Sequence, residues 1–269
     1  MTSDLSPERK IYLRQQKNAR RWTIFWQIAI FGIFLAVWEL AARWGWIDSF
    51  IFSQPSRIWH SLVHMKGYEL PKHIATTVSE TLIGFLLGVV FGTVLAVILW
   101  WSPRISRICE PYLVILNSLP KIALGPVIII IAGAGTKAII FMALAISLIV
   151  TVLEMLHGFY RTDSEYIRMA ETFGATRRQI FCKIVFPFNL VTLFNSLKIN
   201  IGLSLVGVIA GEFLVSRAGL GYLIVYGGQV FRMDLVMASV FILAIVAALM
   251  YEAVVLLQKI VLRRFGVGK

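Results

Sequence analysis

Charged residues are scarce in this chain. They make up 15% of its 269 residues, whereas a soluble domain carries about 25%. Acidic residues are the rarer sign, with 14 Asp and Glu beside 26 Lys and Arg. Hydrophobic residues account for 58%, and the mean hydropathy is +0.80. The shortage of charge argues against a soluble globule and indicates a protein whose solvent is lipid.

Cysteine and histidine are also rare. Cys109 and Cys182 both fall in segments that we assign to the cytoplasm, where thiols stay reduced, so we expect two free thiols. His60 and His64 have a spacing that can hold a metal, but no third ligand is well placed, and we expect no metal. The sequence has no Walker-type phosphate loop and no plausible Ser/His/Asp arrangement. We therefore expect neither ATP hydrolysis by this chain nor a bound cofactor.

The net charge of +12 does not indicate a nucleic-acid partner. The basic residues lie at the ends of apolar runs and in short loops, which is where topology signals lie in membrane proteins. Six Lys and Arg precede the first apolar run, within the first 21 residues. Because that run is too long for a signal peptide and lacks a small-residue cleavage site, we expect it to remain as a span.

Six apolar runs are long enough to cross a membrane. They are Thr23–Ala42, Ile74–Trp101, Tyr112–Gly133, Lys137–Leu156, Phe188–Phe213 and Leu235–Leu257. Only helices and closed barrels satisfy the backbone in lipid, and these runs are longer than barrel strands and lack their alternation. The sequence therefore predicts an all-α membrane protein with about six transmembrane helices.

The distribution of Lys and Arg predicts the orientation. With both termini inside, 17 of them lie in inner segments and seven in outer segments, which is the usual bias. The chain then divides into a basic cytoplasmic segment (residues 1–22), a transmembrane domain (residues 23–262) and a cytoplasmic tail (residues 263–269).

The inner segment 157–187 is the longest polar stretch between spans. Ala170, Phe173, Gly174 and Phe181 recur in it at near-helical spacing. We predict two short helices joined near Gly174. A structured cytoplasmic segment of this length in a small membrane protein predicts a docking partner.

This segment carries a spaced motif, consisting of Arg168, Met169, Ala170, Gly174, Ile184, Phe186 and Pro187. The motif resembles the EAA signature of ABC-importer permeases, which reads Glu-Ala-Ala-x3-Gly-x9-Ile-x-Leu-Pro. The third residue, the Gly, the Ile and the Pro agree, whereas the first two residues and the Leu differ. A small residue at 170 permits close docking, Gly174 permits a turn, and Pro187 suits the first turn of the next span. We call residues 157–187 the coupling segment.

Further matches lie along the rest of the chain, at Pro55–Ser56, Leu119–Pro126, Gly133–Gly135, Gly211–Leu214 and Gly219–Ile224. They resemble the nitrate, sulfonate and taurine branch of these permeases. The resemblance implies a type I importer permease fold, called MetI-like, in a prokaryotic cell membrane. It also implies a permease homodimer, an extracytoplasmic binding protein, and two cytoplasmic ABC ATPase subunits that bind ATP and magnesium.

Lys198 lies 11 residues after Pro187, which is roughly 16 Å along a helix and near the middle of the bilayer. A charge at that depth is a functional candidate. It would line the path of an anionic solute, or else form an ion pair with Glu80, Glu154 or a neighbouring carbonyl.

Two prolines and one carboxylate are the other candidates for the translocation path. Pro120 and Pro126 interrupt regular helix at the start of the third span, and the bend either lines the path or is a simple entry into the helix. Glu212 lies at the outer end of the fifth span, before a glycine-rich outer loop. It either contacts the binding protein or holds the outer gate, or it is an interfacial carboxylate in water.

Glycines form one face of two spans. Gly84, Gly88 and Gly92 do so in the second span, and Gly207 and Gly211 in the fifth. Such faces permit close helix contact, either within one subunit or across a dimer interface.

The function that the sequence predicts is the permease subunit of an ATP-driven importer for a small solute, such as an aliphatic sulfonate, taurine, nitrate or bicarbonate. One alternative is a permease for a neutral or cationic nutrient, such as a thiamine pyrimidine precursor or riboflavin. An alternative of another class is an ion-coupled secondary transporter or a channel, which has no reason to carry a coupling segment.

Overall fold

The computed structural model describes residues 7–48, 52–64 and 69–264. Every regular element in these ranges is helical, which confirms the all-α fold class. The chain forms two compact units, Met1–His64 and Met65–Lys269. Within the described residues, five helices are long and apolar enough to span a membrane, and the number is six when one bent pair is counted as a single span.

The first unit contains a long helix, α1 (Pro7–Arg43), and a short one, α2 (Pro55–His64). The apolar part of α1 is Arg21–Arg43, close to the predicted first span. Glu39 ties the start of α2 to α1, because its carboxylate accepts hydrogen bonds from Ser56 N at 3.1 Å and Ser56 Oγ at 3.0 Å.

Four straight spans of the second unit match the predicted second, fourth, fifth and sixth spans. They are α3 (Leu70–Trp101), α6 (Thr136–Tyr160), α10 (Leu190–Val215) and α12 (Met233–Arg264). Each contains a long run of apolar residues with few charges, which is the pattern from which the spans were predicted.

The third span differs from the prediction. Helix α4 (Pro103–Ser118) begins well before Tyr112, because Pro103 starts a helix where we expected a loop. It is followed by a 3₁₀ turn (Lys121–Leu124) and by α5 (Gly125–Ala132), with a bend of 84°. The predicted interruption at the prolines is confirmed, since Pro120 lies at the break and lacks the N–H that would continue the helix.

The outer loop after the fifth span also differs from the prediction. It contains a helix, α11 (Leu220–Gln229), where the glycines suggested irregular structure. Gly219 precedes it with φ of +121°, a conformation that favours glycine.

Helix α6 lies between α3 and α10 and forms the centre of the second unit. A Cβ added to Gly84, Gly88 or Gly92 of α3 would overlap Ala143, Ser147 or Thr151 of α6, respectively. From α10, a Cβ on Gly207 would lie 2.7 Å from Ala143 Cα, and one on Gly211 would lie 3.0 Å from Ile139 Cα. Both glycine faces therefore pack within this subunit, which confirms the first of the two explanations.

Both cysteines are free thiols, as predicted. Cys109 is half-buried, and Cys182 is exposed.

Candidate functional site

The coupling segment contains two capped helices. Helix α7 covers Ser164–Thr172 and α8 covers Arg177–Ile180, which confirms the prediction of two short helices. Asp163 caps α7, because its Oδ1 accepts a hydrogen bond at 2.9 Å from the backbone N–H two residues further on. Thr176 and Gln179 form a capping box at α8. Each helix thus has its own start signal, which keeps the segment ordered.

A Schellman motif joins the two helices and explains the spacing of Ala170 and Gly174. The N–H of Ala175 donates to the Ala170 carbonyl at 3.0 Å, and the N–H of Gly174 donates to the Glu171 carbonyl at 2.9 Å. Gly174 has φ of +76°, the left-handed conformation that this motif requires after the helix. The Ala-x3-Gly spacing of the sequence motif is therefore the spacing of a helix-ending turn.

Aromatic and cationic contacts anchor α8 to the ends of α3 and α6. The Phe181 ring lies 5.0 Å from the Trp100 ring and 5.4 Å from the Phe159 ring. Arg177 Cζ lies 5.2 Å from the Trp100 ring centroid, and Arg177 Nη2 donates to the Trp100 carbonyl at 3.2 Å. This end of the coupling segment therefore follows any movement of those two spans.

The chain returns to the membrane through a π turn (Phe181–Val185) and a short helix, α9 (Phe186–Phe188). Pro187 lies in the first turn of α9, which leads into α10 through Asn189. The side-chain nitrogen of Asn189 donates to the Val185 carbonyl at 2.8 Å and to Thr162 Oγ1 at 2.9 Å. Helix α10 begins one residue later.

The other face of the coupling segment is exposed and partly apolar. Phe173 is 82% exposed, and Tyr166 and Met169 are also exposed. Arg168 lies on the surface beside them. A cavity of about 300 Å³ next to Phe173 is lined by residues that include Ala170, Gly174 and Ile184. Large apolar side chains exposed on a polar segment are typical of a docking surface.

Lys198 lines a cavity of about 360 Å³ between α10 and α12, together with Tyr251 and Glu252. Its Nζ donates to Asn195 Oδ1 at 3.2 Å. Within residues 69–264, no carboxylate lies within the 4.0 Å of an ion pair from Lys198, so neither Glu80 nor Glu154 neutralises it. The lysine is thus available to a solute in the cavity.

Pro126 lines a larger cavity of about 810 Å³, which α5 forms with α10 and α12. This cavity shares Leu205 and Ala247 with the Lys198 cavity. The two cavities therefore adjoin each other along α10, and we call them together the groove, with the bend after Pro120 at its far end.

Glu212 is buried, so the prediction of an interfacial carboxylate in water is wrong. It is 1% exposed, and its Oε1 accepts a hydrogen bond from Thr77 Oγ1 at 2.6 Å. Its Oε2 accepts the N–H of Gly221 at 2.5 Å, and the N–H of Tyr222 also donates to the carboxylate. Burial also argues against direct contact of this side chain with a binding protein.

Two residues of α3, which were not among the predicted site residues, accept the other N–H groups at the start of α11. Thr77 Oγ1 accepts the N–H of Leu220 at 2.8 Å, and His73 Nδ1 accepts the N–H of Gly219 at 2.9 Å. We call Glu212, Thr77 and His73 the α11 clamp. Its only signal in the sequence is the four-residue spacing of His73 and Thr77, which puts both on one face of α3.

The residues that the structure describes contain no group of three or more His, Cys, Asp or Glu side chains placed to hold a metal ion.

The fold and this site define a class of protein. Several helical spans surround a groove, and a stiff segment with an exposed apolar face lies at one end of them, which is the construction of a transport permease driven by a docked partner. Residues 88–267 match the family of binding-protein-dependent transport system inner membrane components. The chain belongs to this family, and it is the permease subunit of an ABC importer.

Known relatives and structures agree with this assignment. The chain is 26% identical, over 86% of its length and 92% of the relative's, to the formylaminopyrimidine transport permease protein ThiX of Halalkalibacterium halodurans. It is 25% identical, over 92% of its length and 94% of the relative's, to the taurine transport system permease protein TauC of Escherichia coli. A structure of the MetNI methionine ABC transporter matches 73% of this chain and 97% of its own with a TM-score of 0.65 at 20% identity, which confirms the MetI-like fold.

Proposed function

We propose that two copies of this chain form the translocation path of an importer, with two separate ATPase subunits on the cytoplasmic side and a binding protein on the other. The observation that carries the proposal is the coupling segment, which is internally capped, anchored by Trp100 and Phe181, and exposed at Phe173. A rigid segment with a free apolar face suits transmission of movement from a docked protein.

ATP and magnesium would bind to the partner ATPase, since this chain has no phosphate-binding loop. Both termini would lie in the cytoplasm of a prokaryote together with the coupling segment. The excess of Lys and Arg on that side and the count of six spans, with the bent pair taken as one, support this orientation.

The mechanism that we propose is alternating access. Closure of the ATPase dimer on ATP displaces the docked coupling segments, and the spans then open outward to receive the solute from the binding protein. Hydrolysis restores the inward-facing state. Because Arg177 of α8 is held by Trp100 of α3, and Phe181 directly after α8 packs with Phe159 of α6, displacement of the segment moves both spans.

The solute that the groove favours is a small anion, for which Lys198 supplies the complementary charge. The taurine relative supports an organic sulfonate, whereas the formylaminopyrimidine relative supports a neutral or cationic nutrient as the second candidate. Thermal stabilisation of the partner binding protein by sulfonates, taurine, nitrate, bicarbonate and vitamin precursors would identify the class.

Replacing Lys198 with methionine is expected to reduce uptake of an anionic solute by about tenfold, because Lys198 is the one basic side chain among the described residues that line the groove. The measurement is uptake of the identified solute into vesicles that contain the complete importer. Lys137→Met, which removes an exposed lysine at the start of α6, is the control and should leave uptake unchanged. Unchanged uptake in Lys198→Met would remove this residue from the translocation path.

A further inference from the structure

We infer that Glu212 is a positioning residue that fixes α11 to α3 and α10, so that the outer end of the groove moves together with the coupling segment. "Outer" here means the end of the spans opposite the coupling segment. The inference rests on the alternating-access mechanism proposed above. In it, the buried Glu212 carboxylate transmits the movement to the outer end of the groove.

The α11 clamp satisfies the N–H groups at the start of α11. The first N–H groups of a helix have no partner within the helix itself. In α11 those of Gly219, Leu220, Gly221 and Tyr222 are all accepted by side chains of α3 or α10. The start of α11 therefore depends on two other helices and would lose these partners if it separated from them.

The contact between α11 and the Glu212 carboxylate is tight. A Cβ added to Gly219 or to Gly221 would overlap the Glu212 carboxylate, so the backbone at the start of α11 lies directly against this side chain. Leu220 and Leu223 are buried in the same contact. Hydrogen bonds that are shielded from water in this way are stronger than exposed ones, and a partly satisfied set is costly. The clamp therefore favours one fixed position of α11.

Helix α10 is continuous from the coupling segment to Glu212. This helix has 26 residues without an internal proline, from Leu190 beside the coupling segment to the turn that contains Glu212. At 1.5 Å per residue it spans about 39 Å. A displacement at its first residues is carried to Glu212 as a rigid movement, because packed helices shift as whole bodies.

Helix α11 is a short helix beside the two spans that line the groove. Its 10 residues cover about 15 Å, which is half the thickness of the hydrocarbon. It packs against both α10 and α12, the two spans that form the groove with Pro126 and Lys198. The position of α11 therefore sets the separation of these spans at the outer end of the groove.

The test compares one substitution at two carboxylates in the intact importer. Glu212→Leu removes the acceptor of three hydrogen bonds. Glu154→Leu is the matched control, since Glu154 lies near the end of α6 that faces the coupling segment, away from the clamp, and its buried Oε2 has no hydrogen-bond partner. Hydrogen–deuterium exchange of residues 219–222 is measured without nucleotide and after trapping with ATP, magnesium and vanadate, together with uptake per ATP hydrolysed.

We expect residues 219–222 of the wild type to be protected in both states. In Glu212→Leu their exchange should accelerate, and uptake per ATP should fall by about tenfold while hydrolysis continues. Glu154→Leu should behave like the wild type. Loss of protection in one wild-type state, or normal uptake per ATP in Glu212→Leu, would overturn the inference. If Glu212→Leu does not assemble, Thr77→Val is judged by the same criteria, since it removes a clamp acceptor without a change in size.

These outcomes separate the clamp from the proposed mechanism. A wild-type complex that shows no ATP-driven uptake contradicts alternating access, whatever the exchange at residues 219–222. A wild-type complex with such uptake but with unprotected residues in one state contradicts the clamp alone.

Discussion

Replacing Gly88 with valine is expected to prevent stable folding of the second unit. A Cβ at this position would overlap Ser147 Oγ of α6 and lie 3.0 Å from Ser147 Cβ, so α3 and α6 would have to separate. Overpacking of this kind costs about 3 kcal/mol, and membrane helices that meet through small residues have little other means of association. The measurement is the amount and the thermal stability of detergent-purified protein.

Gly202→Val is the matched control for this prediction. Gly202 lies in the interior of α10, and a Cβ there meets nothing within 4 Å, so the same added volume should leave yield and thermal stability unchanged. Equal stability of Gly88→Val and the wild type would mean that α3 and α6 are not packed as the structure describes.

Replacing Gly174 with valine is expected to uncouple the importer while leaving the membrane spans intact. A β-branched residue strongly disfavours the φ of +76° that ends α7, and forcing it there costs about 1–3 kcal/mol. The turn would open, and the exposed face around Phe173 would lose its shape. Uptake per assembled importer should fall by about tenfold, a change that corresponds to about 1.4 kcal/mol.

Gly174→Asn provides the control, because asparagine adopts the left-handed conformation more readily than valine does. A Cβ at 174 meets nothing within 4 Å, so the difference between the two variants reports backbone conformation rather than crowding within the chain. Gly174→Asn should keep most of the coupled uptake. Normal coupled uptake in Gly174→Val would show that the Schellman motif has no role in coupling.

The straight spans could be predicted from sequence because their signal is local. Runs such as Leu82–Trp101 contain no charge for long enough to cross the hydrocarbon, whatever their neighbours are. The bent third span was harder to place. The interruption at Pro120 is also local and was predicted, but the early start at Pro103 was missed, because the polar residues after it looked like a loop.

The candidate site also contains one feature with a local sequence signal and one without. The Ala170–Gly174 spacing encodes a turn within one short stretch, so the sequence predicted it correctly. The environment of Glu212 depends on Thr77, which is 135 residues away along the chain. No pattern in the sequence near Glu212 indicates that contact. A carboxylate at the end of an apolar run looks like a surface group until its partners are known.

Cross-linking from the coupling segment to the ATPase tests the central claim most directly. Cys109→Ser and Cys182→Ser first remove both native thiols, and Phe173→Cys then places one thiol on the exposed face. In the importer isolated from its own cells, this thiol is labelled with a maleimide–benzophenone reagent, which on irradiation should insert into a C–H bond of the neighbouring ATPase subunit and give a single covalent adduct. Arg217→Cys, exposed in the loop before α11, should form none. An adduct from Arg217→Cys, or none from Phe173→Cys in a complex that hydrolyses ATP, would contradict the account.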